Sequence, residues 1–279
     1  MAEVLGELVV GEWAAEAGFT PSIASVVAGR SGARLFVKAA PIGTGLGEAV
    51  EAGTVLADAV GDLGPRLLRA VSCEEWRVAA YEVVDGVTVD AWNSADVDEV
   101  LRVISRMRER MQPCSIRGVW PYAQDFVPLL GDWATLGVRR PPPISAPVAR
   151  LAELEARWVA VLAPGVALHH GDLRRDNIIR EPDGRLRIVD WTHMWTAPGW
   201  MDLIRLLPDL ASAGHDPETV LRRSCWRDTP DEDVNVALAG LAGRAWRDCA
   251  LPGEPRLRSM QREQAEHLLS WLDSRLMRE

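Results

Sequence analysis

The sequence predicts an α+β protein: a small β-rich first third followed by a larger, mainly helical remainder. Three observations predict it. Short apolar runs separated by turn residues fill the first 85 positions, with Gly29-Arg30-Ser31-Gly32 joining the runs at 23–27 and 35–38. Beyond them, apolar residues recur at helical spacing, as in Val97, Val100, Leu101, Ile104 and Met107. One strand-turn-strand pattern interrupts the helical part, where the apolar 177–179 and the alternating 186–189 flank Glu181-Pro182-Asp183-Gly184.

In chain order, a short apolar segment at Glu12-Trp13-Ala14 precedes Gly18-Phe19-Thr20-Pro21-Ser22. The latter is either a phosphate-covering loop, with Ser22 and neighbouring N–H groups facing phosphate oxygens, or an ordinary turn. Strands at 23–27 and 35–38 follow, then a helix over 47–60 with Ala49, Val50, Gly53, Val55, Leu56 and Ala59 on its apolar side. Strands at 66–71 and 76–84 complete a small sheet. A helix starts near Asp96. The stretch 112–147 is loop-rich, either a linker-like embellishment or a short helix pair. The next helix has Pro147 in its first turn and turns Val148, Leu151, Leu154, Trp158 and Val161 inward. Asp202 heads an apolar helix, and two more, over 231–249 and 255–277, end the chain.

Composition narrows the function. The 279 residues suffice for one large or two modest domains. No apolar run is long enough for a bilayer, and the first residues lack the basic flank of a signal peptide, so a cytoplasmic protein without a membrane partner is expected. Four scattered cysteines have no zinc or disulfide spacing. A formal charge of −9 argues against a nucleic-acid partner, which would demand a basic face. The acidic Asp228, Asp231, Glu232 and Asp233 are either contacts for a cationic substrate or a solvated face. Most of the 12 tryptophans read as packing residues.

The chemistry concentrates between residues 170 and 190. His170-Gly171-Asp172 is followed by Asn177, and the hairpin then returns the chain to Asp190-Trp191, placing Asn177 and Asp190 at one end. A carboxylate can orient an attacking hydroxyl and take its proton. An amide oxygen and a second carboxylate can hold Mg²⁺ against nucleotide phosphates. Phosphoryl transfer is the reaction these types serve. His170 stands where the similar protein-kinase catalytic loop has a histidine that packs beneath the aspartate, whereas His169 reads as structural. Lys38 adds weight, because it is the single lysine among 31 Lys and Arg and ends an apolar strand, which suggests a place needing a compact ammonium.

The pairing of His170-Gly171-Asp172 and Asn177 with Asp190-Trp191 resembles the aminoglycoside phosphotransferase family of kinase-like small-molecule kinases, a group that includes choline kinase-like enzymes. The resemblance runs from Gly18 to about Leu210. It implies a two-lobed protein-kinase-like fold, a nucleotide-binding lobe of residues 1–85 and a catalytic, acceptor-binding lobe of 86–279, with ATP or GTP and Mg²⁺ in the cleft. Asp172 and His170 would be the catalytic pair, and Asn177 and Asp190 the metal ligands. Lys38 would hold the α- and β-phosphates, positioned by Glu51 in preference to Glu48. The Glu82 carbonyl and Val84 N–H would meet the adenine edge, and Asp202 would bond the catalytic loop from below. The acceptor implied is a hydroxylated small molecule, foremost an aminoglycoside or similar antibiotic in a resistance role, otherwise a sugar or choline-like metabolite. A nucleotide-binding pseudokinase is the non-enzymatic rival.

Overall fold

The computed structural model describes residues 6–14 and 23–278. They form two compact units, the first comprising residues up to 90 together with 175–194, the second 91–174 together with 195–279.

The first unit is a five-stranded antiparallel sheet with one helix. Strands β1 (Val9–Ala14), β2 (Ile23–Gly29), β3 (Arg34–Pro41), β4 (Leu67–Cys73) and β5 (Trp76–Glu82) stand in the order β1-β2-β3-β5-β4. Alternation along the strands gives each face its own core. Val27, Val37 and Ala80 collect on one side with Val9, Leu35, Val71 and Val78. On the other, Ala40, Ala79 and Tyr81 meet Val50 of helix α1 (Gly45–Val60). Helix α1 begins where the Thr44 hydroxyl accepts from the Gly47 N–H at 3.0 Å. Its Gly53 faces the sheet so closely that a Cβ there would lie 2.8 Å from the Tyr81 hydroxyl and 2.9 Å from the Trp191 carbonyl oxygen. Val55, expected on the apolar side, is exposed.

A second, three-stranded sheet completes this unit: β6 (Val87–Thr88) pairs with β9 (Ile178–Arg180), which pairs with β10 (Leu186–Ile188). The sequence expectation divides the chain once, at residue 85. The hairpin instead groups with the N-terminal residues, because Val87 and Thr88 lie in register with Arg180 and Ile179 and the Val89 N–H donates to the Ile178 carbonyl at 2.9 Å. A two-residue strand such as β6 has no periodicity to read.

The second unit is mainly helical. Helix α2 (Ser94–Met111) opens with a capping box, the Asn93 side chain accepting from the Asp96 N–H while the Asp96 carboxylate accepts from the Asn93 N–H. The loop-rich stretch holds β7 (Trp120–Pro121) and the short helices α3 (Tyr122–Phe126) and α4 (Trp133–Arg139). The single helix expected after Pro147 is two, α5 (Val148–Ala156) and α6 (Trp158–Leu162), broken at Arg157 with φ −88° and ψ −2°. Their inward residues Leu151, Leu154 and Trp158 are nonetheless buried as the periodicity predicts. Strand β8 (Ala167–His169) pairs with β11 (Trp195–Ala197), which also pairs with β7. Helices α7 (Met201–Ser212), α8 (Pro217–Arg223), α9 (Asp231–Asp248) and α10 (Pro255–Leu276) follow, with α9 and α10 packed along each other. Trp133 and Trp158 anchor the interior, and their indole N–H groups donate to the carbonyls of Ala239 and Ala123 at 2.9 and 3.0 Å.

Candidate active site

In the first unit the hairpin and the sheet supply Asn177, Asp190 and Lys38. Antiparallel pairing of β9 and β10 returns Asp190 to the end where Asn177 stands, and the Val189 N–H donates to the Asn177 carbonyl at 2.9 Å. Asn177 is buried, while Asp190 is partly exposed and sits at φ +67°. Aspartate is among the few non-glycine residues that tolerate this left-handed backbone. There its carboxylate forms an ion pair with the Lys38 ammonium, joining residues 152 apart in sequence. An amide oxygen and a carboxylate at one hairpin end are hard donors of the kind Mg²⁺ prefers, so these two residues fit that ion alongside phosphate oxygens. The Tyr81 phenol, buried and close to Asp190, is pushed up to about 12.

Glu51 does not hold Lys38. Its carboxylate pairs with Arg77, which lies in register with Ala40 on the same sheet face, two residues along from Lys38. Arg77 comes from β5, a partner that spacing along α1 cannot reveal. This pair is half exposed, so Glu51→Gln should change stability by less than about 1 kcal/mol. It should also leave stabilisation by ATP unchanged in a thermal-shift assay.

Glu82 ends β5 with its carboxylate on the Arg66 N–H at 3.1 Å and on Arg187 at 2.6 Å. Burial pushes its pKa up, but the Arg66 N–H and the Arg187 guanidinium outweigh this and hold it below the usual range. Val84 lies just past the strand. Ser22 and the glycine-initiated loop before it lie outside the described residues.

The second unit carries His170 and Asp172. Strand β8 delivers His169 and His170 into the interior, and the chain then turns through Gly171 at φ +81°. That conformation explains glycine at the middle of the motif. Gly171→Ala should destabilise the protein by about 1 kcal/mol or more, read as a lowered midpoint in urea. Beneath the turn lies Asp202, 3% exposed at the start of α7. It accepts from the N–H groups of His170 at 2.9 Å and Gly171 at 3.2 Å, and from His169 Nδ1 at 2.9 Å. Burial raises the Asp202 pKa, but His169, His170 and these donors outweigh it and bring it down to about 2. Burial also lowers the His169 pKa more than Asp202 raises it, so at neutral pH His169 is an uncharged donor to a carboxylate.

Asp172 then projects with each oxygen facing a guanidinium, Oδ1 at 3.3 Å from Arg205 and Oδ2 at 3.2 Å from Arg174, while its N–H donates to His170 Nδ1 at 3.2 Å. Arg205, on α7, also donates to the Tyr122 hydroxyl at 2.9 Å. Burial lowers the Arg205 pKa, but Tyr122, Asp172 and Asp202 more than compensate. Burial in turn pushes Tyr122 up to about 12, so it is a neutral phenol accepting that hydrogen bond. Arg174, Arg205 and Tyr122 are not named by any motif. The arginine two positions after Asp172 was legible as a neighbour; the other two come from elements 33 and 83 residues distant from their partners.

These features define a kinase-like fold. The sequence matches no protein-family model and no curated protein, but solved structures share the architecture. An aminoglycoside phosphotransferase from Alicyclobacillus acidocaldarius subsp. acidocaldarius DSM 446 superposes with a TM-score of 0.62 at 16% identity, over 100% of this chain and 96% of that one. Choline kinase LicA from Streptococcus pneumoniae gives a TM-score of 0.61 at 14% identity, over 98% and 96%. A thermostable mutant of the aminoglycoside phosphotransferase APH(4)-Ia, in ternary complex with ADP and hygromycin B, gives 0.62 at 14% identity, over 99% and 96%. The chain thus has the fold of aminoglycoside phosphotransferases and choline kinase.

Proposed function

We propose that this protein is an ATP-dependent small-molecule O-phosphotransferase, moving the γ-phosphate to a hydroxyl of an aminoglycoside or similar hydroxylated antibiotic. The observation that carries this reading is the ion pair of Lys38 with Asp190. It brings the chain's single lysine to the hairpin end that also bears Asn177, the grouping phosphate and Mg²⁺ chemistry calls for. ADP in the hygromycin B complex of a protein with the same fold supports it.

In this reading Lys38 steadies the α- and β-phosphates. Mg²⁺, when bound by Asn177 and Asp190, would neutralise phosphate charge. Asp172 aligns the acceptor hydroxyl and takes its proton, with Arg174 and Arg205 fixing the carboxylate and His170 and Asp202 fixing the loop. The Glu82 carbonyl and Val84 N–H are proposed for the adenine edge, and Ser22 for the phosphates.

The test is ATP consumption with Mg²⁺ against aminoglycosides, other hydroxylated antibiotics, sugars and choline, alongside thermal stabilisation by nucleotide. Acceptor-dependent turnover is the expected result. Stabilisation without turnover on any acceptor would favour a nucleotide-binding regulator, and absence of both would overturn the kinase reading.

A further inference from the structure

One tyrosine stands behind the proposed base without a hydrogen bond to it. Tyr122, buried at the start of α3, has the rings of His169, Phe126, Trp195 and Trp158 at 4.5, 5.0, 5.2 and 5.9 Å. Packing on so many sides gives the ring one orientation and so fixes where its hydroxyl points. That hydroxyl accepts from Arg205 Nη1 at 2.9 Å.

Arg205 has two carboxylates within reach of its charge. Asp202 precedes it by three residues on α7, the spacing at which helical side chains meet, and Asp172 lies on the loop after β8. Both attract the guanidinium. Asp202 already has its two oxygens engaged, Oδ2 by the His170 N–H and Oδ1 by the Gly171 N–H and His169 Nδ1. Arg205 instead reaches Asp172 Oδ1 with Nη2 at 3.3 Å, and its buried Nε has no partner. Among the described residues, two hydrogen bonds, to Tyr122 and to Asp172, hold this guanidinium.

The hold bears on Asp172, whose other oxygen faces Arg174 at 3.2 Å. A guanidinium on each oxygen sets the plane in which the carboxylate presents itself to a hydroxyl. Misplacing a reacting group by about 1 Å costs up to about 10²-fold in rate. Without the Tyr122 hydroxyl the guanidinium keeps one of its two anchors, and Asp202 stands one helical turn away to draw it off.

We infer that Tyr122 is a positioning residue for phosphoryl transfer: its hydroxyl holds Arg205 on Asp172 in preference to Asp202, and so fixes the carboxylate that meets the acceptor. The inference rests on the phosphotransferase reading and holds for any acceptor hydroxyl. Tyr122 acts only through Arg205, so its effect must vanish when Arg205 is absent.

The experiment is a double-mutant cycle of wild type, Tyr122→Phe, Arg205→Met and the double variant. Consumption of ATP with Mg²⁺ is measured with kanamycin, glucose and choline as acceptors, beside urea midpoints and thermal stabilisation by ATP. Tyr122→Phe removes only the hydroxyl, so kcat should fall about tenfold while KM for ATP stays within about twofold of wild type. In the Arg205→Met background the same change should lower kcat less than about twofold. Arg205→Met alone should lower kcat at least as much as Tyr122→Phe. The urea midpoint should fall more on Tyr122→Phe in the wild-type background, where a buried N–H loses its acceptor, than in the Arg205→Met background. That comparison, with the kcat of Arg205→Met, decides the matter where Tyr122→Phe alone is too unstable for kinetics. Equal losses in the two backgrounds, or a kcat of either single variant within about twofold of wild type, would overturn the inference and leave the kinase reading standing. A wild type that turns over none of the acceptors would remove the phosphotransferase reading and the inference with it.

Discussion

Asp172→Asn should lower acceptor-dependent turnover by roughly 10²- to 10⁴-fold, the range attributable to a positioned general base. Stabilisation by nucleotide should persist. The substitution keeps the shape of the side chain and one acceptor oxygen, so Arg174 or Arg205 retains a partner and the loop its course. What is lost is the second carboxylate oxygen and the capacity to take a proton from the attacking hydroxyl. Lys38, Asn177 and Asp190, which the proposal gives to phosphates and metal, lie in the other unit and are unaltered. Single-turnover kinetics at saturating ATP would separate the chemical step from binding. Turnover within threefold of wild type would remove Asp172 from the reaction.

The second large effect is on stability. Asp202→Asn should destabilise the protein by about 3 kcal/mol, because a buried carboxylate holding three donors is replaced by an amide with one acceptor oxygen. Activity should fall with it, as His170 and Gly171 lose the anchor of their N–H groups. The pH dependence follows in sign. The Asp202 pKa is lowered to about 2 from an ordinary value of 3.8, so its contribution is present above pH 4 and is lost as pH falls toward 2. That loss is about 2 kcal/mol. His169 acts at higher pH: held neutral in the fold, it opposes the proton that the unfolded chain binds below about 6.5, so stability also falls as the solution is acidified from pH 7. Denaturant titrations of wild type and Asp202→Asn between pH 7 and pH 2 should show two curves converging at the acid end. A constant gap would contradict the assigned ionisation.

The parts legible in the sequence were those whose signals are local. Turn and periodicity marks placed α1, α2 and the 177–190 hairpin, and the helices expected over 231–249 and 255–277 lie within a few residues of the observed α9 and α10. Asp202 was expected to bond the backbone of the loop bearing His170 and Asp172, and it accepts from the N–H groups of His170 and Gly171. His169, expected to be structural, is the third donor to the same carboxylate. What escaped was determined by tertiary neighbours. Arg205 is one polar residue in an apolar helix, and nothing in its surroundings announces Tyr122 or Asp172 as partners. Glu51 was assigned to Lys38 by its place on the helix, whereas Arg77, contributed by a different strand, decides its contact. Strands β6, β7 and β11 are two or three residues long, too short for alternation to be recognisable.

The passage of 175–194 into the first unit has a genetic consequence. A gene fragment ending at residue 90 encodes the five-stranded sheet but omits the partner strand of β6 and the carboxylate of Lys38, so no single cut yields that unit whole. Halves divided at residue 90 would have to reassemble through the hairpin before Lys38 and Asp190 were together again. That requirement makes the division a candidate for split-protein complementation, in which recovered ATP stabilisation reports reunion of the two fragments.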